Sequence, residues 1–198
     1  YLNFTISSLM VFAISPLLVS YLGAYSFGLW KSIHKILDFA SIADGRATQA
    51  LKWIIANDES SGNIVRKKQA VGSALIVWSW FLPLMLTIIV LLVWNLPLLI
   101  NQLDHAMYNK VYNVGLILGA NLLIYPIYAI PDAILVGTNN GYKSTVIQTV
   151  GVVVSNLLMI LSSYLGYGIV GLACVLILIT FSNGLFVFII CKKSVAWF

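Results

Sequence analysis

The stretch Ala70–Trp94, AVGSALIVWSWFLPLMLTIIVLLVW, runs for 25 residues without a single charged side chain. A helix that crosses a bilayer needs about 20 consecutive, mostly apolar residues, so this segment is long enough to span. Working outward, Ile169–Ile190 is equally free of charge, and the apolar pattern places further spans over 3–21, 111–137 and 143–164. A sixth, 27–56, is less apolar because it holds Lys31, His34, Lys35, Asp38, Asp44, Arg46 and Lys52, but it contains no proline and its length suits a tilted helix. The expected fold is therefore an all-α membrane protein, a bundle of six transmembrane helices forming one membrane domain over 1–198.

Composition agrees. Of 198 residues, 61% are hydrophobic and 9% charged, whereas soluble domains are nearer half apolar and a quarter charged. A surface so poor in charge cannot face water all round. The net charge of +5 would suggest nucleic acid in a soluble protein. Here the basic residues fall in short loops, where they orient a membrane protein instead. Arg66, Lys67, Lys68, Lys143, Lys192 and Lys193 fall at one set of helix ends, while the opposite set carries little beyond Lys110, beside Asp104 and His105. The positive-inside rule then puts the first set, and both termini, in the cytoplasm. The chain begins with Tyr1, and the expectation is a fragment whose N-terminus lies upstream.

The second segment carries the chemistry. At about 100° per residue, with Lys31 at zero, Lys35 falls near 40°, Asp38 near 340°, Arg46 near 60° and Gln49 near 0°, with His34 and Lys52 near 300°. Gly45, near 320°, leaves a gap in that face, while Asp44 points elsewhere. A charge at the centre of a membrane costs about 2.5–3.5 kcal/mol on insertion scales, so a stripe of them faces water or partners rather than lipid. Snorkelling accounts for Lys31, Arg46 and Lys52 near the ends, and a structural ion pair for Lys35 with Asp38; a pathway for solute accounts for the whole stripe. Lysine and arginine in a lumen suit an anionic substrate, whose phosphate oxygens accept charge-assisted hydrogen bonds. Asp38 and His34 are groups that bind and release protons, and so suit coupling to a proton or sodium ion.

Other polar residues read more simply. Asp132, near the end of the fourth segment with Asn121, Pro126 and Pro131, reads as an interfacial carboxylate. Asn156 and Asn183 read as hydrogen-bonding between helices, Gly151, Ser155 and Gly171 as close-packing positions, and Pro16 and Pro83 as kinks. Cys174 and Cys191 form no disulfide or metal pattern. No nucleotide loop, metalloprotease motif or nucleophile–base set is present, so neither an enzyme nor a resident cofactor or metal is expected.

The segment Leu22-Gly23-Ala24-Tyr25-Ser26-Phe27-Gly28-Leu29-Trp30, with Asp38-Phe39, Ala43-Asp44-Gly45, Ala50-Leu51 and Ile55-Ala56 after it, resembles bacterial polysaccharide flippases. These are the O-antigen and exopolysaccharide transporters of the multidrug/oligosaccharidyl-lipid/polysaccharide exporter superfamily. Pro131-Asp132-Ala133-Ile134-Leu135 with Gly137, Asn140, Gly141, Tyr142 and Lys143 is similar to that family's junction between the fourth and fifth helices. Arg46 departs from the apolar residue the family pattern has after the glycine. The resemblance implies the N-terminal lobe of a transporter of 12 to 14 helices in the bacterial cytoplasmic membrane, with a C-terminal lobe as partner. It further implies alternating-access flipping of a polyprenyl-diphosphate-linked oligosaccharide, alongside a polysaccharide polymerase machinery. On that reading Lys31, Lys35 and Arg46 hold diphosphate or acidic sugar and Asp38 tunes or couples them. The rivals are a drug or lipid II exporter of the same superfamily, although a cationic-drug pump calls for an acidic lumen, and a non-transporting scaffold whose ionic stripe binds a partner helix.

Overall fold

The computed structural model describes residues 2–43, 46–59, 62–100 and 103–198, and the side chains of all of these except 2–4, 6, 7, 9, 11 and 43. Among them the regular secondary structure is all helical, with no strand. Seven α-helices follow one another: α1 Leu2–Leu22, α2 Ala24–Asp38, α3 Ala47–Glu59, α4 Ile64–Leu99, α5 Tyr108–Gly137, α6 Gly141–Tyr164 and α7 Gly168–Ser194. Four stretches are long and apolar enough to cross a membrane: Ile64–Leu99, His105–Gly137, Gly141–Tyr164 and Gly168–Ser194.

The reversals between helices use residues that tolerate left-handed backbone. Gly23 stands at φ 81° between α1 and α2, Gly62 at φ 66° before α4, and Asn139 at φ 58° between α5 and α6. An L-residue with a Cβ seldom adopts that region, asparagine and glycine excepted. At the start of α4, the Asn63 side chain accepts a hydrogen bond of 3.0 Å from the Arg66 N–H, satisfying one of the helix's orphan donors. α4 consequently begins at Ile64 rather than Ala70, so Arg66, Lys67 and Lys68 lie in its first turns and not in a loop. Asp58 and Glu59, at the end of α3, receive two of them: Arg66 Nε sits 3.1 Å from Asp58 Oδ2, and Lys67 pairs with Glu59.

The main departure from the expected helices is at 27–56, which is not one helix. α2 stops at Asp38, a 3-10 turn covers Phe39–Ala43, and α3 begins only after Arg46, which stands at φ 47°. The Ser41 hydroxyl donates to the Asp38 carbonyl at 2.6 Å, an alternative to the helical ladder of the kind serine offers. Asp44 and Gly45 lie outside the described residues.

The two pieces enter different cores. Ile33 and Leu37 of α2 join Ile14 and Leu18 of α1, Ile89 and Leu96 of α4, Val114 and Leu118 of α5, and Leu172 of α7 in one buried cluster. Leu51 and Ile55 of α3 join Ala70 and Ala74 of α4, Ile130 and Ile134 of α5, and Val187 and Cys191 of α7 in the other. The first cluster lies at the end where Tyr21 stacks edge-on against Tyr164 and the Asp104 N–H donates to Tyr25 Oη at 3.0 Å. The second lies at the end where Lys143 Nζ donates to Ser194 Oγ at 3.0 Å.

α5 touches α2, α3, α4, α6 and α7, and its glycines permit this. A Cβ on Gly119 would come 2.6 Å from Ile89 Cγ2, and one on Gly137 would come 2.8 Å from Ile55 Cβ and 3.1 Å from the Lys52 carbonyl oxygen. A side chain can shift aside but the Lys52 backbone cannot do so without moving α3. Gly137→Ala is therefore expected to destabilise the protein by about 1–3 kcal/mol, read as a lower unfolding midpoint in detergent. Gly72→Ala, where a Cβ meets nothing within 4 Å, is expected to leave the midpoint unchanged or raise it.

Candidate functional site

The break after Asp38 puts the polar face of α2 at the head of a cleft. Lys31, His34, Lys35 and Asp38 recur every three or four residues, so they share one side of α2. Together with Ser15 of α1 and Asn156 of α6 they line a cleft of about 320 Å³, floored by Ile14, Leu18, Met159 and Leu176. Counting 1.5 Å per residue from Ala24, Lys35 lies about 16 Å along α2.

Each charge is only loosely committed within the chain. Lys35 Nζ stands 3.9 Å from Asp38 Oδ2, with the two side chains 84% and 61% exposed, a spacing and exposure at which an ion pair contributes little. Lys31 Nζ lies 5.4 Å from the centroid of the Phe27 ring. The His34 ring packs edge-on against Trp30, with centroids 4.3 Å apart, and its Nε2 is buried without a hydrogen-bond partner. An imidazole nitrogen in that state carries either a donor or an acceptor for a ligand to satisfy. Two lysines against one aspartate leave the cleft with one net positive charge, so it can hold an anion while presenting His34 and Asn156 to neutral oxygens.

Arg46 and Gln49 are exposed but lie beyond the break and do not line this cleft. Their alignment with Lys31 holds only along an uninterrupted helix, and the positive φ at Arg46 resets the rotation of everything after it. Gly45, the expected gap in that face, lies outside the described residues.

A second polar cleft, of about 230 Å³, was not anticipated. It lies between α5, α6 and α7 and is lined by Tyr125, Tyr128, Asp132, Gln148, Thr180 and Asn183. Asp132 is not a free interfacial carboxylate. It lies 3.4 Å from Lys52 Nζ, with side chains 18% and 29% exposed, and its Oδ1 accepts from Gln148 Nε2 at 3.2 Å. Lys52, expected to snorkel, thus ties α3 to α5. The signal was present in the sequence: opposite charges on neighbouring apolar helices at similar depth pair more cheaply than they reach separate interfaces. Asn156, expected to bridge helices, bonds to its own helix through the Val152 carbonyl at 2.8 Å. Asn183 packs directly beneath Gly151. Among the described residues no group of three or more His, Cys, Asp or Glu side chains is placed to hold a metal.

Removing either member of the Lys52–Asp132 pair leaves the other's charge half-buried without its partner. Lys52→Ala and Asp132→Asn are each expected to lower stability by about 1–3 kcal/mol, and the double variant by less than the sum, with a coupling of about 0.5–3 kcal/mol. Denaturation of all four proteins in detergent closes the cycle; strict additivity would show that the pair is not formed. Comparison of the chain with protein-family models, curated proteins and solved structures found no match in any of the three.

Proposed function

We propose that this chain is the membrane-embedded lobe of a transporter for an anionic, lipid-anchored substrate, taken up in the cleft beside the broken α2–α3 segment. The observation that carries the reading is the gathering of Lys31, His34, Lys35 and Asp38, exposed or with an unmet hydrogen-bonding atom, along one cleft; with α2 entering the membrane at Ala24, Lys35 lies about half a membrane deep. Hydrocarbon does not tolerate such a face, so water or substrate covers it. Non-helical backbone at that depth is likewise stable only inside protein or beside a water-filled cavity, and discontinuous helices at the midplane are how secondary transporters build substrate sites.

On this reading α1, the tandem α2–α3 and α4 to α7 make six crossings, with the end bearing Arg66, Lys67, Lys68, Lys143, Lys192 and Lys193 in the cytoplasm. The substrate is a polyprenyl-diphosphate-linked oligosaccharide. The resemblance of residues 20–60 to polysaccharide flippases supports this choice, as does the match between a cleft of net positive charge and a diphosphate. Lys31 and Lys35 hold the phosphates, while Asp38 and His34 couple their release to a proton or sodium ion. A second lobe closes over the exposed faces of α2 and α3, including Arg46 and Gln49, and alternating access of the two lobes moves the substrate to the outer leaflet of a bacterial cytoplasmic membrane for surface polysaccharide synthesis.

In cells that depend on this protein for surface polysaccharide, Lys35→Ala and Asp38→Ala are each expected to lower export at least about tenfold, the loss of one charge-assisted contact, at unchanged protein level. Export is measured as polysaccharide on intact cells, and protein by immunoblot of membranes. Wild-type export by both variants would overturn the transport reading and leave the ionic face to a partner helix.

A further inference from the structure

α6 and α7 run antiparallel, and their outer surfaces enclose a groove that shares only Asn183 with the second polar cleft and nothing with the first. It measures about 330 Å³ and is walled by Val146, Val150 and Val154 of α6 and by Ile179, Ser182 and Phe186 of α7. Val146, Val150 and Phe186 are among the exposed large hydrophobic side chains, so the groove opens outward to lipid. Its floor is where Gly151 of α6 meets the Asn183 side chain of α7; the missing Cβ gives the groove its depth.

Beyond one end of the groove, the helical count brings two lysines to its side. On α6, Val150 and Val154 follow Lys143 by seven and eleven residues, which at about 100° per residue returns each to within roughly 20° of the Lys143 direction. On α7, Lys193 follows Phe186 by seven residues and falls about 20° from it, whereas Lys192 falls more than about 100° away. One lysine from each helix therefore lies just beyond the same end of the groove, on the side it opens to. Lys143 Nζ donates to Ser194 Oγ at 3.0 Å, which fixes the start of α6 against the end of α7 beside Lys193. An ammonium has three donors, so this bond leaves Lys143 two more. Among the described residues, no carboxylate lies within ion-pair distance of Lys143 or Lys193. Asp58 and Glu59, the acids at this end, are paired with Arg66 and Lys67.

We propose that the α6–α7 groove binds one anionic glycerophospholipid, its phosphate held between Lys143 and Lys193 and one acyl chain lying along Val146, Val150 and Val154. The dimensions fit: from Lys143 to Val154 is about 16 Å along α6, the depth of one leaflet's hydrocarbon. Charge selects the occupant. A zwitterionic headgroup offers the same phosphate but brings its own cation to an end of the groove that already has two beside it, and an anionic headgroup does not. The site lies on a different face from the substrate cleft and does not rest on the transport reading.

The test is lipid retention by the full-length protein, released from nanodiscs of equal phosphatidylglycerol and phosphatidylcholine and read by native mass spectrometry. The wild type is expected to keep phosphatidylglycerol in preference, and Lys143→Ala/Lys193→Ala to lose that preference by about tenfold or more. Lys68→Ala/Lys192→Ala removes the same charge from the same end of the molecule and is expected to keep it. Val150→Trp, which fills the groove with both lysines intact, is expected to reduce retention as the lysine variant does. Equal retention of both lipids by the wild type, equal losses in the two lysine pairs, or an unaffected Val150→Trp would each overturn the site. Displacement of the lipid by millimolar inorganic phosphate would also overturn it, since the acyl chain would then contribute nothing.

Discussion

The close approach of α5 to its neighbours is the contact on which the rest of the molecule depends. Where Gly115, Gly119 and Gly137 meet Leu96, Ile89 and Ile55, three helix backbones come nearer than any side chain would allow. In lipid there is no hydrophobic drive to bring helices together, so van der Waals contact at such small residues is a main source of cohesion. α5 thereby serves as the post against which α3, α4 and α7 are held. With α3 seated on Gly137 and α2 on the other end of α5, the chain between them need not remain helical.

That arrangement explains how a weakly apolar segment is accommodated. Each half of the α2–α3 segment buries a short row, Ile33 and Leu37 in one core and Leu51 and Ile55 in the other. The segment's charges lie on its other faces, beside exposed apolar residues such as Trp53. The charges are then treated differently in the two halves. In α3, Lys52 is answered by Asp132 and Asp58 by Arg66, so the interior is close to electrically balanced and the pairs act as links between helices. In α2, Lys31 and Lys35 outnumber Asp38, and His34 Nε2 has nothing to bond. An imbalance of that kind is costly in a bundle unless something outside it supplies the missing partner. That unmet demand is what the proposed substrate site rests on.

The same logic separates the molecule's faces. The α2 cleft is lined by two lysines, an aspartate, a histidine and an asparagine, the polar groups on which the proposed substrate site rests. The α6–α7 groove is apolar along its length, with lysines just beyond one end, the profile of a phospholipid. In the second cleft Asp132 is already answered by Lys52 and Gln148, and the ion pair fastens α3 to α5.

Much of this was legible beforehand, for physical reasons. Length and hydropathy alone mark the apolar runs of α4 to α7, because a run of more than 20 apolar residues has no other stable solvent, and the glycine and asparagine reversals mark themselves by chemistry. The ionic character of the second segment was also visible, as a list of residues. What the sequence could not reveal was which of them meet. An angular count treats 27–56 as one rigid rod, and a single positive φ at Arg46 is enough to separate Lys31, His34, Lys35 and Asp38 from Arg46 and Gln49. Asp132 and Lys52 are 80 residues apart, and their pairing depends on the distance between two helices, which Gly137 sets. Local chemistry determined where helices form and which residues are polar; only packing decided where the second segment breaks, which charges are answered and which remain open to a ligand.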